Sequence, residues 1–313
     1  MEERRRHITL KEKLTEHYQK RDFKPKKSSA STYGMLFYWG VTVSLLLEGV
    51  LILIPNYFKT NSSENSNMIN YFCAQLVAIV LAIESISNWI LSHFSSLHYV
   101  KRETKDKYYS NATETPPGWK PCIICMLDAP PRSHHCTLCN HCILKRDHHC
   151  FFTGSCVGYH NQRYFVVFCF YNCLALAYGS CLQLILLNEE IPILSEAAIF
   201  YLPPVALWQL FTGTTTVMHV AILFHMIIAI FCFVVSFLFL AWQLLIICQG
   251  QTSYEAWKQI SVYQKTSLLD NVYSSLGSPS QFLLCLLIPG HRWMPEDGIQ
   301  WTTETKAGKK HSF

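Results

Sequence analysis

Four stretches of the chain lack both lysine and arginine and are almost continuously apolar: Tyr33 to Ile54, Tyr71 to Phe94, Tyr164 to Leu187 and Met218 to Cys248. About 20 helical residues cross a hydrocarbon core, so each stretch is long enough to span a membrane. Helices of a soluble protein rarely run that far without a charge. The composition agrees, because half of the 313 residues are apolar and only 15% are charged, against about 25% in soluble domains. The expectation is an all-α polytopic membrane protein whose four transmembrane helices cover 33–54, 71–94, 164–187 and 218–248.

Positive charge orients these spans. Of the 26 lysines and arginines, ten precede the first span, nine lie between spans two and three, and six follow the fourth; Lys59 alone lies elsewhere. Basic residues accumulate on the cytoplasmic side, so the arm 1–32, the loop 95–163 and the tail 249–313 are expected in the cytosol. The loops 55–70 and 188–217 then face a lumen. The sequon Asn61-Ser62-Ser63 fits that side, whereas Asn111-Ala112-Thr113 would face the cytosol and is read as chance. Ala197 to Phe211 is apolar but short and holds Pro203-Pro204, so it is expected to be luminal or interfacial. The basic arm runs for more than thirty residues before anything apolar, so no cleavable signal is expected and the first span should direct its own insertion.

Seven of the fourteen cysteines fall between Cys122 and Cys156. In a reducing cytosol such a cluster points to metal binding or catalysis rather than disulfides. The spacing is Cys122-x2-Cys125-x9-His135-Cys136-x2-Cys139-x2-Cys142-x4-Asp147-His148-His149-Cys150-x5-Cys156. Cys-x2-Cys pairs let two thiolates hold one tetrahedral ion, with imidazole as a further ligand. Two such ions need eight ligands; if one cysteine is kept free, six cysteines and two histidines complete two Cys3His sites. A double-zinc adaptor without chemistry of its own is the competing reading. Asp147-His148-His149-Cys150 favours an enzyme, since an imidazole two residues from a thiol can take its proton and a carboxylate can fix the imidazole tautomer.

Residues 117–165 resemble the cysteine-rich domain of the DHHC-type protein S-acyltransferases, or palmitoyltransferases. The resemblance rests on the whole spacing above, on Pro130 and Arg132, on Cys156-Val157-Gly158 and Asn161, and on the placement between spans two and three. Thr252-Ser253-Tyr254-Glu255 is similar to the family's Thr-Thr-x-Glu motif, and Asn271 with Tyr273 to its C-terminal motif. Most members follow the cysteine with Pro-Trp, where this chain has Phe151-Phe152-Thr153-Gly154.

The resemblance implies a structural Zn2+ on Cys122, Cys125, His135 and Cys142, and a second on Cys136, Cys139, His149 and Cys156. It leaves Cys150 as acyl acceptor, with His148 as its base, Asp147 orienting His148, and Glu255 helping to place Asp147. It further implies palmitoyl-CoA or a similar acyl-CoA as donor, membrane-associated proteins with a juxtamembrane cysteine as acceptors, and an acyl cavity closed near Ala175. The cations Arg132, Lys145 and Arg146 are candidates for the donor's phosphates. Endomembranes such as ER or Golgi, or the plasma membrane, are the expected location, with the lipid bilayer as partner and no nucleic acid. Glu48, Glu84 and His225 lie inside spans and are expected to bond between helices; Cys169, Cys173, Cys181 and Cys232 are expected to be packing residues.

Overall fold

The structure is a computed structural model, and it describes residues 28–60, 67–96, 99–101, 104, 107, 115–190, 196–290, 297–304 and 310–312. Asn61, Asn111 and the basic arm through Lys27 lie outside the described residues. The chain is mostly helical, and four helices are long and apolar enough to cross a membrane: Ser29–Lys59, Met68–Ser95, Gln162–Glu189 and Val217–Cys248. Each expected apolar run lies within one of them and is extended by a few residues at one or both ends.

The first of these is not uniform. Helix α1 (Ser29–Glu48) opens into a π-helical turn at Gly49–Leu53 before α2 (Ile54–Thr60) continues it. Pro55 is the cause: it has no N–H for the carbonyl four residues back and its ring crowds that carbonyl, so the turn ahead of it widens instead of breaking. The others are α3 (Asn67–Ser95), α4 (Gln162–Glu190) and α6 (Val217–Cys248). Between α4 and α6 the chain forms a 3-10 turn, Glu196–Tyr201, and α5 (Pro203–Thr212). Proline in its first turn starts α5 and Gly213, at φ 74°, ends it. Its ten residues rise about 15 Å, half a hydrocarbon core, so α5 by itself is too short to span one.

Contacts divide the chain into two compact units. One comprises Leu36–Trp89 and Val166–Leu244, the bulk of the long helices. Its polar side chains bond between helices. Glu48 accepts from Gln183 Nε2 at 2.9 Å and pairs with His225 Nδ1, whose Nε2 meets Ser44 at 2.9 Å. Ser85 donates to Asn172 at 3.4 Å, and Asn172 to Ser236 at 2.7 Å. Glu84 instead bonds Asn88 on its own helix. In lipid such groups have no water to bond, which favours bonds between side chains of neighbouring helices.

The other unit comprises Met1–Met35, Ile90–Phe165 and Leu245–Phe313. Here the all-α expectation does not hold, because residues 120–157 fold as three antiparallel hairpins: β1 (Lys120–Cys122) with β2 (Leu127–Ala129), β3 (His134–Cys136) with β4 (His141–Ile143), and β5 (His148–Cys150) with β6 (Ser155–Val157). Every strand is three residues long, too short to show a hydrophobic period. Their core is small: Val100, Trp119, Ala129, Leu144, Tyr159, Ile299 and Trp301, with Tyr263 against it. Trp301 and Ile299 come from the far C-terminal tail, and Gly298 (φ 75°) lets that tail lie where a Cβ would strike the Tyr159 ring at 2.6 Å. Three short helices, α7 (Ser253–Trp257), α8 (Leu268–Leu276) and α9 (Pro279–Leu287), precede it, and β7 (Thr302–Glu304) pairs with β8 (Lys310–Ser312) beyond.

Candidate metal centre and thiol site

The three hairpins repeat every fourteen residues. Cys122, Cys136 and Cys150 each end the first strand, and a four-residue loop leads to the second. The last loop residue takes the left-handed conformation in all three: Met126 at φ 52°, Asn140 at 59° and Gly154 at 66°. In the first two loops the third residue is cysteine, and its N–H points at the sulfur that opens the loop: Cys125 N to Cys122 Sγ and Cys139 N to Cys136 Sγ, both 3.4 Å.

Two groups of ligand atoms result, each within 4.8 Å of one another: Cys122, Cys125, His135 and Cys142; and Cys136, Cys139, His149 and Cys156. Each combines the loop pair of one hairpin with a cross-strand His–Cys pair of the next, His135 opposite Cys142 and His149 opposite Cys156. The separations test the fit to an ion. Cys142 and Cys125 sulfurs are 3.7 Å apart, and His149 Nδ1 lies 3.4 to 3.7 Å from its three sulfurs. A tetrahedron with zinc–sulfur bonds of about 2.3 Å has edges of about 3.8 Å, whereas a disulfide is about 2.05 Å. All fourteen cysteines are free. The two clusters therefore suit two metal ions of the zinc type, with every position filled by protein.

The third hairpin breaks the series. Cys150 holds the place of Cys122 and Cys136, but Thr153 replaces the second cysteine, and among the described residues no further strand pair supplies the remaining His and Cys. Cys150 is thus outside both ligand groups. It is buried (4% exposed), and so is Thr153. Burial alone would raise the Cys150 thiol, yet the net shift is downward, because His148 and the backbone and hydroxyl of Thr153 hydrogen-bond the sulfur. His148 is the complement. Burial opposes its charge, but hydrogen bonds and charge from Asp147 and Cys150 outweigh that and raise it to about 9.

The tautomer of His148 follows from its partners. Its Nδ1 donates to Asp147 Oδ2 at 2.7 Å, which leaves Nε2 for the thiol side. Phe165 meets the ring edge to face at 5.3 Å. Asp147 is fixed in turn by Ser253, whose backbone N–H bonds Oδ1 and whose hydroxyl donates to Oδ2 at 3.1 Å. The serine in place of the second threonine thus keeps the hydroxyl that matters.

Glu255 packs against the hairpin module, as expected, and acts on Asp147 only through α7, which carries Ser253. It caps α7 through a capping box with Thr252 and forms a buried bidentate pair with Arg132, 2.7 Å from Oε1 to Nε and from Oε2 to Nη2. Arg132 also donates to Gly250 O at 3.0 Å and lies over the Trp301 and Tyr263 rings. Lys145 is buried against Ser275 Oγ at 2.8 Å. Arg146 is half-buried against the Cys156 and Cys136 sulfurs. Of the three cations expected at the donor's phosphates, Arg132 is thus placed against a carboxylate, Lys145 against a serine and Arg146 against the sulfurs of the second ligand group. His134, next to a ligand, is in neither ligand group: its ring lies tilted at 41° to Tyr254, centroids 4.0 Å apart, and burial holds it down at about 4.

Fold and site together define a class: a polytopic, mostly helical membrane protein with a two-metal cysteine module between its second and third apolar helices and one unliganded thiol beside an Asp–His pair. Residues 116–260, a little under half of the chain, match the family model of the DHHC palmitoyltransferases, so this stretch is similar to that family. A search of curated proteins gives no match.

Proposed function

We propose that the chain is a protein S-acyltransferase that moves a palmitoyl or similar long-chain acyl group from acyl-CoA to cysteines of membrane-associated proteins through a thioester on Cys150. The observation that carries this reading is the position of Cys150: the same loop place as two ligand cysteines, left outside both ligand groups and paired with His148. In this reading two bound Zn2+ ions cross-link the hairpins and take no part in the reaction.

The Cys150 thiolate attacks the thioester carbonyl of the donor. The bond from acyl carbon to the CoA sulfur breaks, and the leaving sulfur takes the proton held on His148. A substrate cysteine then gives its proton to His148 and attacks the Cys150 thioester, returning Cys150 as thiolate. Asp147 keeps His148 in the tautomer that presents Nε2 to both sulfurs. Arg132 and Lys145 support the fold in this reading, and the donor's phosphates are met by other cations.

The charge distribution supports a cytosolic arm, hairpin module and tail, with 55–70 and 188–217 luminal, in an endomembrane or the plasma membrane. The acyl chain lies among the spans, with the small Ala175 near its end. The test is incubation of the purified chain with palmitoyl-CoA followed by mass spectrometry. A hydroxylamine-labile acyl group on Cys150, absent in Cys150→Ser and present in Cys169→Ser, is expected. An unacylated Cys150 in a chain that holds two zinc ions would refute the reading in favour of a non-catalytic double-zinc adaptor.

A further inference from the structure

The second metal group has a partner far away in sequence. His149 turns Nδ1 to its three sulfurs and Nε2 to Ser31 Oγ, 3.1 Å away, on the first turn of α1. Ser31 is itself buried, with its N–H on Ser28 Oγ at 3.4 Å. A metal-bound imidazole needs its other nitrogen paired to fix ring orientation, and such partners are worth about 10- to 100-fold in metal affinity or activity.

The next turn of α1 meets the loop that follows Cys150. A Cβ on Gly34 would sit 2.6 Å from Phe151 O and 2.9 Å from its carbonyl carbon, so only glycine admits that backbone. Met35 Sδ fills the space over Gly154, 2.4 Å from where a Cβ there would lie. The Ser31 and Met35 side chains and the Gly34 backbone therefore lie against residues 149, 154 and 151, on both sides of the thiol.

We propose that the head of α1 is the seat of the third hairpin, with Ser31 a positioning residue for the metal ligand His149 and Gly34 a positioning residue for the loop that presents Cys150. The first span then does more than anchor the chain. It holds the second ion's imidazole and sets the approach to the thiol. The zinc part of this proposal stands apart from the acyltransferase reading; the Cys150 part rests on it.

The experiment uses the purified full-length chain loaded with zinc and a chromophoric chelator that reports release. Ser31→Ala is expected to speed loss of one of the two ions about 10- to 100-fold, leaving the other as in the parent chain. Ser31→Thr, which restores the hydroxyl, is expected to return release to the parent rate. Gly34→Ala is expected to keep both ions while alkylation of Cys150 by iodoacetamide changes at least threefold, because the Phe151 backbone must move. Release from Ser31→Ala at the parent rate, or equal acceleration of both ions, overturns the role of Ser31. Unchanged alkylation in Gly34→Ala overturns that of Gly34. Alkylation and zinc release are both read without acyl-CoA, so a chain that never acylates would sink the enzyme reading and leave this test intact.

Discussion

Replacing Glu255 with alanine leaves the Arg132 guanidinium inside the protein without its counter-charge. The two side chains are 3% and 2% exposed, and the pair is bidentate at 2.7 Å. Removing one partner of such a buried pair costs about 3–5 kcal/mol, most of it the penalty of the stranded charge. Glu255 also closes the capping box of α7, and loss of that cap adds about 1 kcal/mol. The single variant should therefore lose about 4–6 kcal/mol. Arg132→Met with Glu255→Leu removes both charges and should recover at least about 2 kcal/mol of that, since apolar replacement of a buried pair is often neutral. Trp301 lies 4.4 Å from the guanidinium carbon, so its fluorescence during unfolding in detergent reports the site. Acylation should fall in Glu255→Ala at temperatures where zinc is retained, because α7 also carries Ser253 to Asp147. If the double variant is as damaged as the sum of its singles, the pair is not coupled and the ledger above is wrong; unchanged acylation would separate α7 from the chemistry.

Asp147→Asn should move the pH dependence of Cys150 alkylation upward. His148 is raised to about 9, so its charge is present below that pH and is lost as pH rises through it; removing the carboxylate lowers His148, takes the positive charge from beside the sulfur and raises the thiol. An unshifted profile would remove Asp147 from this role. Cys142→Ser should destroy the first metal group and unfold the hairpins rather than merely slow acylation, visible as loss of protease resistance together with at least one ion by metal analysis; a folded, active Cys142→Ser would contradict the ligand set. Thr153→Cys rebuilds the third loop pair with Cys150, so acylation should become sensitive to low cadmium while the parent chain is less affected; equal sensitivity would mean that the third loop lacks the geometry of the other two.

The spans were legible because hydropathy is a local property: each apolar run states its own length, and lysine and arginine state their absence. The number of ligands was readable for a similar reason, since Cys-x2-Cys spacing reflects one turn of chain, whereas their division into two groups came from the family resemblance alone. The hairpins were harder to see, because three-residue strands set by metal ligands carry no alternation. A fourteen-residue period linking Cys122, Cys136 and Cys150 was available and would have identified both the hairpins and Thr153 as the substituted position. Ser31 had no such signal, being 118 residues from His149. The tail residues Ile299 and Trp301 gave only a faint one, two apolar side chains in an otherwise polar stretch. The partners of Arg132 and Lys145 were not readable, because a positive charge near a cysteine reads the same whether it faces a phosphate or a buried carboxylate or hydroxyl.

The shared construction of the metal groups has an arithmetic consequence. When each ion is held by the loop of one hairpin and the strands of the next, a row of hairpins always binds one ion fewer than its own number. The last loop is left with a ligand-grade sulfur and nothing to coordinate. In the proposed reading the reactivity of Cys150 is thus an end effect, like the open valence at the terminus of a growing crystal. Adding a fourth hairpin after Val157 together with Thr153→Cys would quench Cys150 by giving it an ion, and would pass the unspent thiol fourteen residues down the chain.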